Sequence, residues 1–373
     1  MSTPSDRADG RAPLPPAIEQ LIVRAAGEVR LLATLTPAEA DRERARLTAD
    51  LREGKSPVPR WAYIRVAHDE LRRALDAAER ALADRAAPQH ELYRARIREL
   101  SLEAALCAAA GTHDIARLAR QRFAPPDPAV AGEASNLCAT WLAEPPTPLA
   151  GSFLPSDDPD PCSLLSRMQE AVGKLRLPFA VVARRSLAPL AATGDRVILV
   201  AAGRLVHDED ATRTVVHEVE GHARPRARSY ACPIAIVRVG TAGGVDDQEG
   251  RAVLLEKRAG MLGARRRRQL AARHRAVEAM LDGASFGDVA VSLVRLHGID
   301  AADAVVIAER VFRGGDGTRP GLGRERVYVE SFVRVGAHLA AHPEDEAVMA
   351  SGQVSVDAIA RVRELSGPIG TPH

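Results

Sequence analysis

The sequence predicts an α+β fold in which helix dominates. Three observations predict it. Apolar residues recur three and four apart near both ends of the 373-residue chain. β-Branched runs gather in one stretch, about residues 177–207. Strands and helices are segregated, with no alternating βαβ series and no internal repeat. The length suffices for a sizeable core, as one large domain or two modest ones.

Residues 1–16 are polar and proline-rich and are expected to be disordered. A helical region follows over 17–123. AIEQLIVRAAGEVRLLATL carries the helical period, and TPAEADRERARLTADLREG opens with a Thr N-cap and a proline. WAYIRVAHDELRRALDAAERALADRA and ELYRARIRELSLEAALCAAAGT continue it. Residues 124–161 are rich in Pro, Asp and Ser and read as a loop or lobe boundary. A core with C-terminal helices is expected over 162–365, and 17–365 is expected to form one unit. Within it, LPFAVVARR and DRVILVAAGRLVH suggest strands and a hairpin around a glycine. TRTVVHEVEGHAR is a helix that Pro225 should end within a turn. YACPIAIVRVG reads as a strand or extended loop, and helices fill the rest, the last near VDAIARVREL.

A formal net charge of +2 gives no global pull towards nucleic acid or membrane. The most basic run, Ala264 to Arg275, reads as a solvated helix face without the aromatics a single-strand binder would use. Four scattered cysteines form no disulfide scaffold. The N-terminus has no apolar signal-peptide segment, and no apolar run approaches the roughly 20 residues that span a bilayer. A cytoplasmic, reduced protein with no nucleic-acid or membrane partner is therefore expected.

His217, Glu218 and His222 carry the chemistry. They are the residue types of a zinc peptidase, but the histidines stand five apart where H-E-x-x-H has them four apart. On an ideal helix, positions five apart point about 140° away from each other. A π-type turn with i→i+5 bonds would realign them, so the pair can chelate if the helix is overwound or broken there. Gly221 is where a local change would be sterically cheapest. Glu218, beside the first histidine, is placed to take a proton from the metal's water. A catalytic zinc wants a third protein ligand and an open position. Glu249, in DDQEGRAVLLE, stands 27 residues after His222 near the start of a helix. It could supply that ligand, or form a capping box with Asp246. Glu218 and His222 could equally just hydrogen-bond on a helix surface. Two imidazoles and a carboxylate favour zinc over other divalent ions.

HEVEGH followed by QEGRAVLLE resembles the bacterial QEGLA-motif family, often labelled as modulating flavohaemoglobin expression and related to the microtubule-associated tyrosine carboxypeptidases of animals. ELYRARIRELSLEAALCAAAGT, DRVILVAAGRLVHDEDATRTVVHE, AERVFRGGDG and RVYVESFVRV extend the likeness over roughly residues 20–365. The resemblance implies a zincin-like core with metallocarboxypeptidase activity. It puts His217, His222 and Glu249 on the zinc ligands and Glu218 on the base that activates the zinc-coordinated water. Two positions depart: Arg251 stands for the leucine of QEGLA, and Glu220 stands where the family often has a small residue. The animal enzymes' terminal tyrosine on tubulin is therefore not carried over.

A carboxypeptidase must also hold its substrate's terminal carboxylate, which an arginine fork does well. Arg313, in a glycine-rich loop, is the first candidate and Arg310 the second. Tyr328, or less readily His338, could stabilise the oxyanion. Glu256, seven residues after Glu249, could orient a ligand histidine. The strand Val197 to Val200 could pair with an extended peptide. The function expected is removal of C-terminal residues from a peptide or protein, with one zinc ion per chain. A zinc hydrolase of another amide or modified peptide, a non-catalytic metal-binding regulator, and nucleic-acid binding through Arg265 to Arg275 are the alternatives.

Overall fold

Acidic residues Asp208, Glu209 and Asp210 crowd the first turn of the helix that carries the two histidines, where they complement its dipole. His207 caps it, its Nδ1 accepting from the Glu209 amide at 3.3 Å. In the computed structural model, which describes residues 16–83, 88–125, 127–145, 151–185 and 187–366, this motif helix runs from Asp208 to Tyr230. Its middle, Val216–Ala223, is π-helical, and α-helical turns flank it. The ladder is widened by the i→i+5 bonds, neither overwound nor broken. Pro225 does not end the helix. It occupies the first turn after the ladder returns to α, where a residue without an N–H is tolerated.

The fold is α+β and predominantly helical, with small sheets. Five short strands precede the motif helix: β1 (Phe153–Pro155), β2 (Ala180–Arg184), β3 (Ala191–Thr193), β4 (Val197–Ala201) and β5 (Leu205–His207). β4 is central, parallel to β2 and antiparallel to β3, while β5 pairs with β1 in a separate sheet. The hairpin expected around Gly203 is therefore absent. The chain turns there between two sheets, and the antiparallel hairpin is β3–β4. Val197 to Val200, flanked on both sides, is closed to a further strand; β3 is an edge.

Four layers follow from the packing. Ile198, Val200, Leu164 and Met168 of the strand lobe meet Val219 and Ala223 of the motif helix. That helix packs on the carboxylate helix, Gly244–Arg258, which in turn packs on the helix Val327–Ala341. Two glycines set how closely these layers approach. A Cβ at Gly221 would lie 2.6 Å from the Ala252 Cβ, and a Cβ at Gly250 would lie 2.2 Å from the carbonyl carbon of Ser331. Gly221 thus serves helix–helix contact rather than the change in winding.

One apolar core joins the first helix (Pro16–Glu28) to Val362 near the other end, through Ile22, Leu75, Ile97, Val253 and Val335. Residues 128–143, within the expected loop, form a helix instead, because Asp127 caps it and Pro128 opens it. Its Trp141 packs against Phe332, with ring centroids 5.9 Å apart. Ala235–Val239, expected as strand or loop, is a short helix. The expected disordered N-terminus lies outside the described residues except for Pro16. Among the described residues no helix is long and apolar enough to cross a membrane.

The basic run is not a solvated face. It lies on a helix from Ala264 to Leu281, and none of residues 264–275 is exposed. Arg265 pairs with Asp210, Arg266 with Glu256, Arg267 with Glu144 and Arg275 with Glu278. Arg268 donates to the carbonyls of Leu142 and Glu144. The run is spent on internal contacts.

Candidate metal centre

The π turn brings the imidazoles together, with ring centroids 5.0 Å apart. Both face one carboxylate oxygen: Nε2 of His217 lies 3.3 Å, and Nε2 of His222 3.6 Å, from Oε2 of Glu249. One ligand atom from each of the three residues lies within 4.8 Å of the others, a grouping one cation can bridge. Glu249 reaches this point from the second turn of the carboxylate helix. That helix begins at Gly244, so Asp246 lies inside it and forms no capping box with Glu249. Asp246 instead pairs with Arg122 at 2.6 Å.

Each histidine is turned by a partner on its other nitrogen. Nδ1 of His217 donates to Oε1 of Glu256 at 2.7 Å, as expected for an orienting carboxylate. Arg266 grips Glu256 through Nε at 2.8 Å and Nη2 at 2.9 Å. Nδ1 of His222 lies 3.0 Å from Oε1 of Gln248, which also accepts from Gln353 at 3.2 Å. Both Nδ1 atoms are thus engaged, and both Nε2 atoms converge. Replacing Glu256 by Gln should weaken metal affinity by about 10- to 100-fold without removing a ligand, as competition with a zinc chelator would measure.

Electrostatics favour a cation at the same point. Burial alone would lower the His217 pKa, but the carboxylates of Glu249 and Glu256 outweigh it and raise it to about 9. His222 is raised by Glu249 in the same way. Burial would raise Glu249, yet the two imidazoles and Arg324 hold it well below the usual carboxylate range. Arg266 and His217 likewise keep the buried Glu256 ionised.

Glu218 is buried, and Thr193 at the end of β3 fixes its carboxylate, Oγ1 donating to Oε2 at 2.8 Å. The edge strand thus lies against Glu218. Tyr328 is buried too, its hydroxyl accepting from Nη2 of Arg310 at 3.4 Å. Burial and the Glu249 charge raise its pKa, so it stays a proton donor. Arg310 is committed to Glu325 at 2.9 Å. Arg313 is only 6% exposed, and its side chain makes no hydrogen bond or ion pair among the described residues; its Nε is buried without a partner.

His338 belongs elsewhere, bonded to Asp345 at 2.6 Å. Arg251 pairs with Glu346 at 2.7 Å, and Glu220 pairs with Arg224 at 2.8 Å. Sequence reasoning gave no role to four residues that hold the site: Gln248, Thr193, Arg266 and Arg324, whose Nη2 donates to Oε1 of Glu249 at 3.1 Å. Only Gln248 left a signal, as the residue before Glu249 in QEGRA.

No curated protein matches the chain. Residues 49–368, most of its length and the whole of this site, match the sequence model of a known family. With that match beside a paired-histidine centre, the chain belongs to the microtubule-associated tyrosine carboxypeptidase family.

Proposed function

We propose that the chain is a zinc-dependent metallocarboxypeptidase with a zincin-like core, removing residues from the C-terminus of a peptide or protein. The observation that carries this is the convergence of both Nε2 atoms and the Glu249 carboxylate, each imidazole held by an acceptor on its far side. This donor set of two imidazoles and one carboxylate fits zinc and leaves a fourth position for substrate. Zinc held there polarises a scissile carbonyl and a water molecule.

The chain's own groups do the rest. Glu218, fixed by Thr193, takes the proton of the attacking water and passes it to the leaving amine. The substrate lies extended along the edge of β3, whose last residue touches that base. Tyr328 donates its hydroxyl to the developing oxyanion. Arg313, with no partner of its own, binds the terminal carboxylate. The family supplies the carboxypeptidase class, and the tyrosine of its name is not carried over to this chain.

The purified chain should hold one zinc ion and release single residues from peptides with a free C-terminus, but none from C-terminally amidated ones. Equal cleavage of amidated peptides would overturn the carboxypeptidase assignment. Activity that survives exhaustive chelation would overturn the metal.

A further inference from the structure

The two histidines of the metal centre are braced differently. His217 leans on the carboxylate of Glu256, which accepts through either oxygen. His222 leans on the amide of Gln248. The two ends of an amide are alike in shape and opposite in polarity, for one accepts and the other donates. A histidine that binds a cation through Nε2 keeps its proton on Nδ1 and needs an acceptor there. Only one orientation of the Gln248 amide therefore serves the metal.

Gln248 does not select that orientation by itself. Its Oε1 faces His222 at 3.0 Å, while its Nε2 is buried with no hydrogen bond among the described residues. An unpaired buried amino group is costly, so another contact must hold the amide this way round. Gln353 supplies it, Nε2 donating to the same Oε1 at 3.2 Å. Were the amide turned over, its amino group would face two donors and accept from neither. The carbonyl end of Gln353 is turned to Gly240, where an added Cβ would lie 3.0 Å from Oε1.

Backbone contacts fix Gln353 in its place. It lies in the turn after the short helix Glu346–Met349. Its carbonyl accepts from the Thr241 amide at 2.9 Å, and a Cβ at Gly244 would lie 2.1 Å from that carbonyl oxygen. The Ser355 amide donates to Oγ1 of Thr241, and the Val356 amide to Oδ2 of Asp247, both at 2.8 Å. Residues 352–356 thus form a strap seated on the start of the carboxylate helix.

We propose that Gln353 is a positioning residue of the metal centre: through the Gln248 amide it keeps the His222 proton on Nδ1 and leaves Nε2 for the cation. This rests on the metal reading above. Gln353 acts through Gln248, and the strap makes a C-terminal turn part of a site whose ligands all lie more than one helix earlier in the chain.

The test is zinc affinity of the full chain, measured by competition with a chelator. Gln353→Met removes the donor and should weaken binding about tenfold, the lower end of what losing an outer hydrogen-bond partner costs a metal site. Gln248→Glu sets a carboxylate, which has no donating end, against His222. In that background Gln353→Met should change affinity by less than about twofold. A strap that matters only for packing would lose as much in both backgrounds, and that result overturns the proposal. Gln353→Glu adds a test of sign. A new carboxylate attracts a cation, so charge alone would tighten binding. The same carboxylate draws the amino end of Gln248 round, away from the orientation His222 needs, and should weaken binding more than Gln353→Met does. Tighter binding in Gln353→Glu overturns the proposal. A parent that binds no zinc overturns the metal reading and this proposal with it. A parent that binds zinc, with equal losses in the two backgrounds, overturns the role of Gln353 and leaves the metal reading standing.

Discussion

Glu218→Gln should keep its zinc and lose turnover by about 10²- to 10⁴-fold, the usual contribution of a positioned general base. The two side chains have the same shape, and Gln retains an oxygen to accept from Thr193 Oγ1, which lies 2.8 Å from the carboxylate. The imidazoles are held by Glu256 and Gln248, and Glu218 takes no part in either contact. Metal content should therefore stay at one ion per chain while kcat falls and KM barely moves. His222→Ala, by contrast, removes a ligand and should lose metal and turnover together. Metal analysis and peptide kinetics on both variants separate the base from the ligand. A Gln variant as active as the parent would remove Glu218 from the chemistry.

How much of this was legible depends on whether a residue acts along the chain or across it. His217, Glu218 and His222 are read from spacing, and the five-residue interval suggested, as one way to align the pair, the π turn that Val216–Ala223 forms. The helical texture of both ends was legible because periodic apolar positions report a buried face. Thr193 was not, since it meets Glu218 only after β3 folds against the motif helix. Arg266 was hidden by its surroundings: in a run of arginines each side chain looks solvated, and only the packing of the helix Ala264–Leu281 shows that this one is buried. The helix Pro128–Ala143 was masked by prolines and acids on either side, although Asp127 and Pro128 carry its start. Ala235–Val239 has the β-branched composition of a strand, but it is short, and tertiary contacts decide its state.

Gly250→Ala separates packing from propensity. In the interior of a helix, Gly to Ala ordinarily stabilises by about 0.5–1 kcal/mol. At Gly250 the new methyl would lie 2.2 Å from the Ser331 carbonyl carbon and 2.6 Å from the Phe332 nitrogen. These are backbone atoms of a helix and cannot swing aside as a flexible side chain would. The carboxylate helix must move off its neighbour, at a cost of about 1–3 kcal/mol or more. Glu249 is the preceding residue, so the same displacement carries its carboxylate away from the two Nε2 atoms. The variant should melt several degrees lower and bind zinc more weakly, two losses from one methyl group that touches no ligand. Gly132→Ala is the control. Gly132 is exposed within the helix Pro128–Ala143, and its added Cβ meets nothing within 4 Å. That variant should melt higher, with zinc binding unchanged. Thermal melts and zinc titrations on the pair would show opposite signs for the same chemical change. If Gly250→Ala also stabilised the chain, the close approach of the carboxylate helix to the helix Val327–Ala341, and with it the placement of Glu249, would be wrong.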